Sequence, residues 1–269
     1  MGITVTEINI FPVKGLGGIS QPRASLTTRG LRYDRRFMIV DADHEFVSQR
    51  ETPRMATIWT DLVGGELEFA AADREPIRVD AEPRALPTRS VRVWSSTVQA
   101  HTVSAEADEW LSDALGFDAR LVYMPDTAER RCNPEYAKNN EIVSFADGYP
   151  VLITNEASLA DLNTRIANNG GAAVPMNRFR SNIVVRGLGA WDEDALGDFS
   201  IGSAVLRAVK PCGRCQVTTT DQASGEVRGP EPLRTLSSFR DSPVGVRFGM
   251  NLVPVKLGEI AVGDSLVPR

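Results

Sequence analysis

Histidine and cysteine are scarce in this chain, with 2 His and 3 Cys among 269 residues. That scarcity argues against a multi-site zinc enzyme or a His-rich metal centre. Three cysteines are too few for a disulfide scaffold, and an odd number argues against a secreted framework. No stretch approaches 18 consecutive apolar residues, so no membrane span is expected. The opening segment, MGITVTEINIFPVKG, has no basic stretch followed by an apolar one and does not read as a secretory signal, so the cytoplasm is the expected compartment. Gly2 and Thr6 match a loose N-myristoylation pattern, but Ile3, Val5 and Ile8 there read as the start of a strand. Basic residues are not in excess: 30 Lys+Arg face 35 Asp+Glu, a net charge of −5. No nucleic-acid partner is expected from that balance. The chain also lacks a G-x-G-x-x-G before a helix, a Walker A lysine, a G-x-S-x-G elbow and an H-E-x-x-H. Asp41–Ala42–Asp43 lacks the glycine and distal glutamate of a calcium loop and reads as a hairpin turn. His44 and His101 read as surface or strand histidines rather than members of a catalytic triad.

What is present is an ordinary globular composition, 42% hydrophobic and 24% charged, at a length that suits one large domain or two small ones. Extended runs dominate the first half: Thr4–Phe11, Arg36–Val40, Ile58–Val63 with a hairpin return at Leu67–Phe69, and an alternating stretch from Val91 to Val103. One helix interrupts them, with Ser104 as N-cap, Leu111 and Leu115 on its apolar face, and Gly116 at its end. Polar residues 125–143, with the pair Arg130–Arg131, read as a connection. The second half opens on the buried strand Pro150–Ile153 and a helix from about Glu156. Strands follow at 182–185, 204–209, 248–255 and 265–267, with a helix after Pro230, and Gly258 and Gly263–Asp264 read as turns. The class is mixed β/α, mainly β.

The densest chemistry lies at Lys210–Pro211–Cys212–Gly213–Arg214–Cys215. Four readings of this pair stay open: half a zinc site, a thioredoxin-like dithiol, two buried structural thiols, or a thiolate ligand for a soft metal centre. A zinc site would have to draw on Cys132, His44 and His101. A dithiol needs the pair at the start of a helix in a βαβ setting, whereas here a strand leads in and a polar loop leads out. Lys210 and Arg214 place positive charge beside the thiols, a setting that suits a metal-ligating thiolate.

KPCGRCQVTTTD (210–221) resembles the signature of the MOSC domain, the C-terminal domain of molybdenum cofactor sulfurases. FPVKG (11–15), RRFMIVD (35–41) and QRETPRM (49–55) resemble the family's N-terminal β-barrel domain. DGYPVLITNEASLADLN (147–163) and RFRSNIVV (178–185) resemble the MOSC domain proper. The resemblance implies an N-terminal β-barrel-like domain at 3–125, followed by a MOSC β-barrel domain with a few helices at 128–267. The layout is similar to that of the family's amidoxime-reducing members. It implies a mononuclear molybdenum enzyme whose metal is held by a pyranopterin dithiolene, oxo groups and one protein cysteine. The implied activity is reduction of N-hydroxylated compounds, namely amidoximes, hydroxylamines or N-hydroxylated bases.

The same resemblance assigns the metal-ligating, catalytic position to Cys215 and contacts with the pterin and its phosphate to Lys14, Arg36, Asp147, Arg180 and Asn182. Arg35 and Arg178, beside those positions, read as surface charges. Several residues depart from the amidoxime-reducing pattern. Gly15 and Gly213 stand in place of serines, Gly148–Tyr149 in place of a Thr-Ser pair, and Ser181 in place of a proline. These departures bear on the substrate more than on the cofactor class. No cysteine follows Cys215, so no iron–sulfur cluster of its own is expected. Electrons would then come from a separate ferredoxin-, flavin- or cytochrome-type donor protein. The sulfurase lobe that carries pyridoxal phosphate has no counterpart here, which argues against that cofactor. The alternative expectation is a sulfur carrier or cofactor-delivery protein holding a persulfide on Cys215 or Cys212.

Overall fold

The computed structural model describes residues 2–243 and 245–269. In the first strand, Ile3–Ile10, the buried residues are Val5, Ile8 and Ile10, a spacing of three and then two. A bulge between Val5 and Glu7 supplies the extra residue that keeps Val5 and Ile8 on one face. This strand closes a seven-stranded barrel. Around the ring from it come Ile183–Arg186, Val151–Asn155, Arg247–Lys256, Ala204–Gly213, Asp198–Ile201 and Ser265–Pro268, which returns to Ile3–Ile10. Closure pairs every strand on both sides and leaves the ring no open edge. Val151–Asn155 runs parallel to Ile183–Arg186, and the crossover between them contains α2 (Glu156–Asn168). Val5, Ile8, Ile153, Ile183, Leu206 and Leu252 fill the interior.

The rest of the first half forms a four-stranded sheet of Phe37–Val40, Arg120–Tyr123, Ser96–Thr102 and Thr88–Val93. A three-stranded meander lies beside it: Trp59–Val63, Glu66–Ala71 and Arg74–Asp80. Phe37, Phe69, Leu111 and Leu121 share their core. The helix α1 (Ala105–Leu115) has its expected ends: Ser104 Oγ accepts the Ala107 N–H at 3.0 Å, and Gly116 terminates the helix at φ 83°. Ser104→Ala is expected to cost about 1 kcal/mol, read as a lower urea midpoint with an unchanged m-value. A third short helix, α3 (Leu233–Ser237), follows Pro230, with Leu236 buried.

The two expected units, 3–125 and 128–267, interleave. Ile3–Ile10 belongs to the barrel otherwise built from the second half, and Gly258–Ala261 pairs with Arg23–Thr27 of the first. Gly258 therefore opens a strand rather than a turn. Gly30, at φ 98°, marks a close approach of the halves: a Cβ there would lie 2.3 Å from the Pro150 carbonyl oxygen. Among the described residues, no helix is long and apolar enough to cross a membrane.

Candidate functional site

Where the halves meet, a cleft opens. Lys14, Gly15, Arg35, Arg50 and Trp94 line it from the first half. Asp147, Arg180, Asn182, Cys212, Arg214 and Cys215 line it from the second. Five cationic side chains thus face a single lining carboxylate, Asp147, in a chain of net charge −5. Such an excess, enclosed by protein, attracts an anionic ligand.

The long strand Ala204–Gly213 carries Cys212 into the cleft, and Cys215 caps the short turn of helix at Gln216–Thr219. Both cysteines are free and half-buried. Arg214 separates their roles. Its Nη1 donates to Cys212 Sγ at 2.9 Å and its Nη2 to the Phe179 carbonyl at 2.7 Å. The backbone carbonyl of Cys215 accepts from Thr218, while its thiol is left to the cleft. Cys132 lies elsewhere, buried with Ala137, Val143 and Val253. Burial pushes its thiol up to about 12, so it stays protonated at neutral pH. His44 sits in the Asp41 turn against Arg89, and His101 packs near Tyr123. Among the described residues, no group of three His, Cys, Asp or Glu side chains could hold a metal.

Opposite the cysteines, Lys14 Nζ donates to Asp147 Oδ1 at 2.5 Å, and Trp94 Nε1 donates to the same oxygen at 3.1 Å. Lys14 follows Val13 into a turn that Gly15 permits at φ 89°. Burial lowers the Lys14 ammonium from its ordinary range, against the pull of Asp147. Desolvation works to raise the Asp147 carboxyl, but the charge and hydrogen bond of Lys14, with Trp94 and Arg50, hold it well below the usual carboxylate range. Arg130 shapes the loop that presents Asp147, donating to the carbonyls of Ser144, Ala146 and Asp147.

The Asp147 shift carries a pH dependence. A carboxyl whose folded pKa lies below its unfolded value stabilises the fold above about pH 4 and ceases to as pH falls through the folded value. The side chain is 66% exposed, so solvent screening limits the effect to about 1 kcal/mol. Between about pH 5 and pH 2 the urea midpoint of the wild type should fall more steeply than that of Asp147→Asn.

Arg180 is held at φ 53°, in the left-handed region. Its guanidinium lies 4.3 Å from the Phe11 ring centroid and donates to Gln222 Oε1 at 3.2 Å. Burial and the nearby Arg35 lower it to about 9, still cationic at neutral pH. Asn182 also reaches the cleft wall, but its amide is fully engaged. Oδ1 accepts from Leu152 N and Arg35 Nη1, and Nδ2 donates to the Asn9 carbonyl and Asp34 Oδ1. Its geometry is that of a brace for Arg35 and Asp34.

Arg36 requires a correction. Its guanidinium donates to the Met124 carbonyl at 2.6 Å and Asp126 Oδ1 at 2.8 Å, away from the cleft. Arg35 lines the cleft instead, bidentate on Asp34 at 2.8 Å and packed 4.3 Å from the Phe11 centroid. Arg35 ends the turn before the strand Phe37–Val40, Arg36 follows it, and the two side chains diverge. Arg35, at φ 47°, turns inward. Arg178 is neither a surface charge nor a cleft residue: it is buried on the Thr219 carbonyl and Asp221. Sequence reading missed Arg50, Trp94, Arg130 and Asp34. Asp34 and Arg130 carry no local signal, because their burial depends on distant chain. Arg50 lies inside QRETPRM, which marked the segment but not the residue.

Two family models match this chain: the MOSC N-terminal beta barrel domain over residues 2–118 and the MOSC domain over residues 140–267. The chain is 32% identical to "Mitochondrial amidoxime reducing component 2" of Bos taurus, covering 98% of this chain and 82% of that protein. It is 31% identical to the Homo sapiens protein of the same name, and 30% identical to "Mitochondrial amidoxime-reducing component 1" of Homo sapiens. Each human match covers 98% of this chain and 82% of the relative. With both family models matched in order and relatives above 30% identity along nearly its full length, the chain belongs to the MOSC domain family that includes the amidoxime-reducing components.

Proposed function

We propose that this protein is a molybdenum-cofactor-dependent oxidoreductase that reduces N-hydroxylated compounds, with electrons from a separate donor protein. The observation that carries this reading is the meeting, in one cleft, of the unpaired Cys215 thiol with five cationic side chains and one carboxylate. The names of its relatives supply the reaction class, amidoxime reduction.

The residues fit a phosphate-bearing pyranopterin. Cationic forks match phosphate and other anionic oxygens, and a thiolate suits a soft metal. Arg214 Nε is buried without a hydrogen-bond partner, a donor left over inside the cleft wall. In this proposal Cys215 would hold the metal, and Lys14, Arg35, Arg180 and Asp147 would contact the phosphate and pterin. Arg36 is left out of the set, because Met124 and Asp126 already engage it. Bound there, the cofactor supplies two-electron oxygen-atom chemistry, while the protein supplies orientation and charge.

The chain's own part is mostly positioning. Asp34 and Asn182 aim Arg35, and Phe179 anchors Arg214 beside Cys212. Gln49 and Gln222, paired amide to amide at 3.0 Å, tie the two walls together across the seam. Tying both halves at the ligand limits how far the cleft can open, which favours a preorganised site. The cytoplasm is the compartment we propose; the word "mitochondrial" belongs to the relatives' names.

Metal analysis of protein made in a cofactor-producing host tests the reading. Near-stoichiometric molybdenum, with conversion of benzamidoxime to benzamidine by a chemical reductant, is the expected result. Protein that carries sulfane sulfur and no molybdenum would overturn it in favour of a sulfur carrier.

A further inference from the structure

Trp94 occupies an unusual place. It is the first of two residues, Trp94 and Ser95, joining the paired ends of Thr88–Val93 and Ser96–Thr102. Its φ is 55°, a conformation that hairpin tips normally give to glycine, asparagine or aspartate. A bulky aromatic held there is strained, and strain of this kind clusters at ligand-binding sites. The indole is also locked in place. Its N–H is bonded to Asp147, and the Phe46 ring lies 4.6 Å away, centroid to centroid.

On this fixed indole rests Arg50, its guanidinium 4.4 Å from the ring centroid. Among the described residues, Arg50 makes a backbone bond to Ser48 Oγ but no side-chain hydrogen bond or ion pair. Elsewhere in the cleft, Lys14 is paired with Asp147 and Arg35 with Asp34. Arg180 and Arg214 are engaged by Gln222 and by Phe179 and Cys212. Among the described cleft cations, Arg50 is thus the one whose whole fork stays unengaged, and it lines the cleft near the two-thirds exposed Asp147. A planar guanidinium already oriented by stacking loses little freedom on binding a carboxylate or phosphate in bidentate fashion.

We propose that Arg50, held on Trp94, is a specificity-determining residue that selects N-hydroxylated substrates carrying an anionic group, a carboxylate or a phosphate. The proposal rests on the reductase reading and names the substrate class of that site. Two ligand pairs distinguish the source of the anion: benzamidoxime against 4-carboxybenzamidoxime, and N4-hydroxycytidine against its 5′-monophosphate. Binding to cofactor-loaded protein is followed by quenching of indole fluorescence, with Trp94→Phe identifying the reporter, and KM and kcat are measured in parallel.

The anionic member of at least one pair should bind roughly tenfold more tightly, about 1.4 kcal/mol. Arg50→Gln should reduce that preference to less than about twofold, and Arg50→Lys should restore part of it, with the change in KM rather than kcat. Equal affinity within both pairs in the wild type would overturn the proposal. So would loss of bound molybdenum in Arg50→Gln, which would place Arg50 at the cofactor. If binding shows the Arg50-dependent preference but no ligand is reduced, the anion site stands and the reductase reading falls.

Discussion

Cys215→Ala should bring the molybdenum content of the purified protein to background and lower amidoxime reduction by more than about a hundredfold. Loss of an outer partner of a metal ligand already costs about 10–100-fold, and loss of the ligand itself costs more. Cys212→Ala should behave differently. Cys212 Sγ is engaged by Arg214 Nη1 at 2.9 Å, so its removal frees one guanidinium donor in the cleft wall without removing the proposed ligand. Metal should be retained, with activity lowered by no more than about the 10–100-fold of an outer partner. Elemental analysis and reduction of benzamidoxime by a chemical reductant read both variants. If Cys212→Ala loses the metal and Cys215→Ala keeps it, the assignment of the two thiols is reversed.

The second large effect concerns stability. Asp34→Ala should destabilise the fold by about 3–5 kcal/mol, because it leaves a buried charge without its partner. Asp34 is 2% exposed and accepts from Arg35 twice, from the Phe11 N–H and from Asn182 Nδ2. Its loss strands donors from three segments at the seam of the two halves. Asp126→Ala is the comparison. Asp126 pairs with Arg36 but is 87% exposed at its side chain, so its removal should cost about 1 kcal/mol or less. Urea denaturation at neutral pH measures both. A cost for Asp34→Ala no greater than that for Asp126→Ala would refute the keystone role of the Asp34 network.

Much of this organisation is legible along the chain. Ser104 and Gly116 bound α1, α2 starts at Glu156, and the strand expected over 204–209 is present but runs on to Gly213. The strand Arg74–Asp80 gave no such signal. It buries only Val79 and carries Pro76, as an outer strand of a meander can. Gly258 misled for a related reason. Its turn preference is overridden by pairing with Leu26, a partner more than two hundred residues earlier.

Local chemistry, then, determined the elements, the mainly β class and the cysteine segment, because caps, alternation and motif spacing act over a few residues. Which of Arg35 and Arg36 lines the cleft, and whether a given arginine is buried or solvated, depended on the fold. Arg35 turns inward only because Asp34, Asn182 and Phe11 are assembled around it from both halves of the chain. The same holds for Trp94 and Arg50. Their contact joins a hairpin tip to a loop more than forty residues earlier, and only the meeting of the two halves brings that pair to the cleft that holds Cys215. The scarcity of histidine and cysteine permitted a site with a single protein thiolate, whereas the convergence of five cations on it is a property of tertiary structure alone.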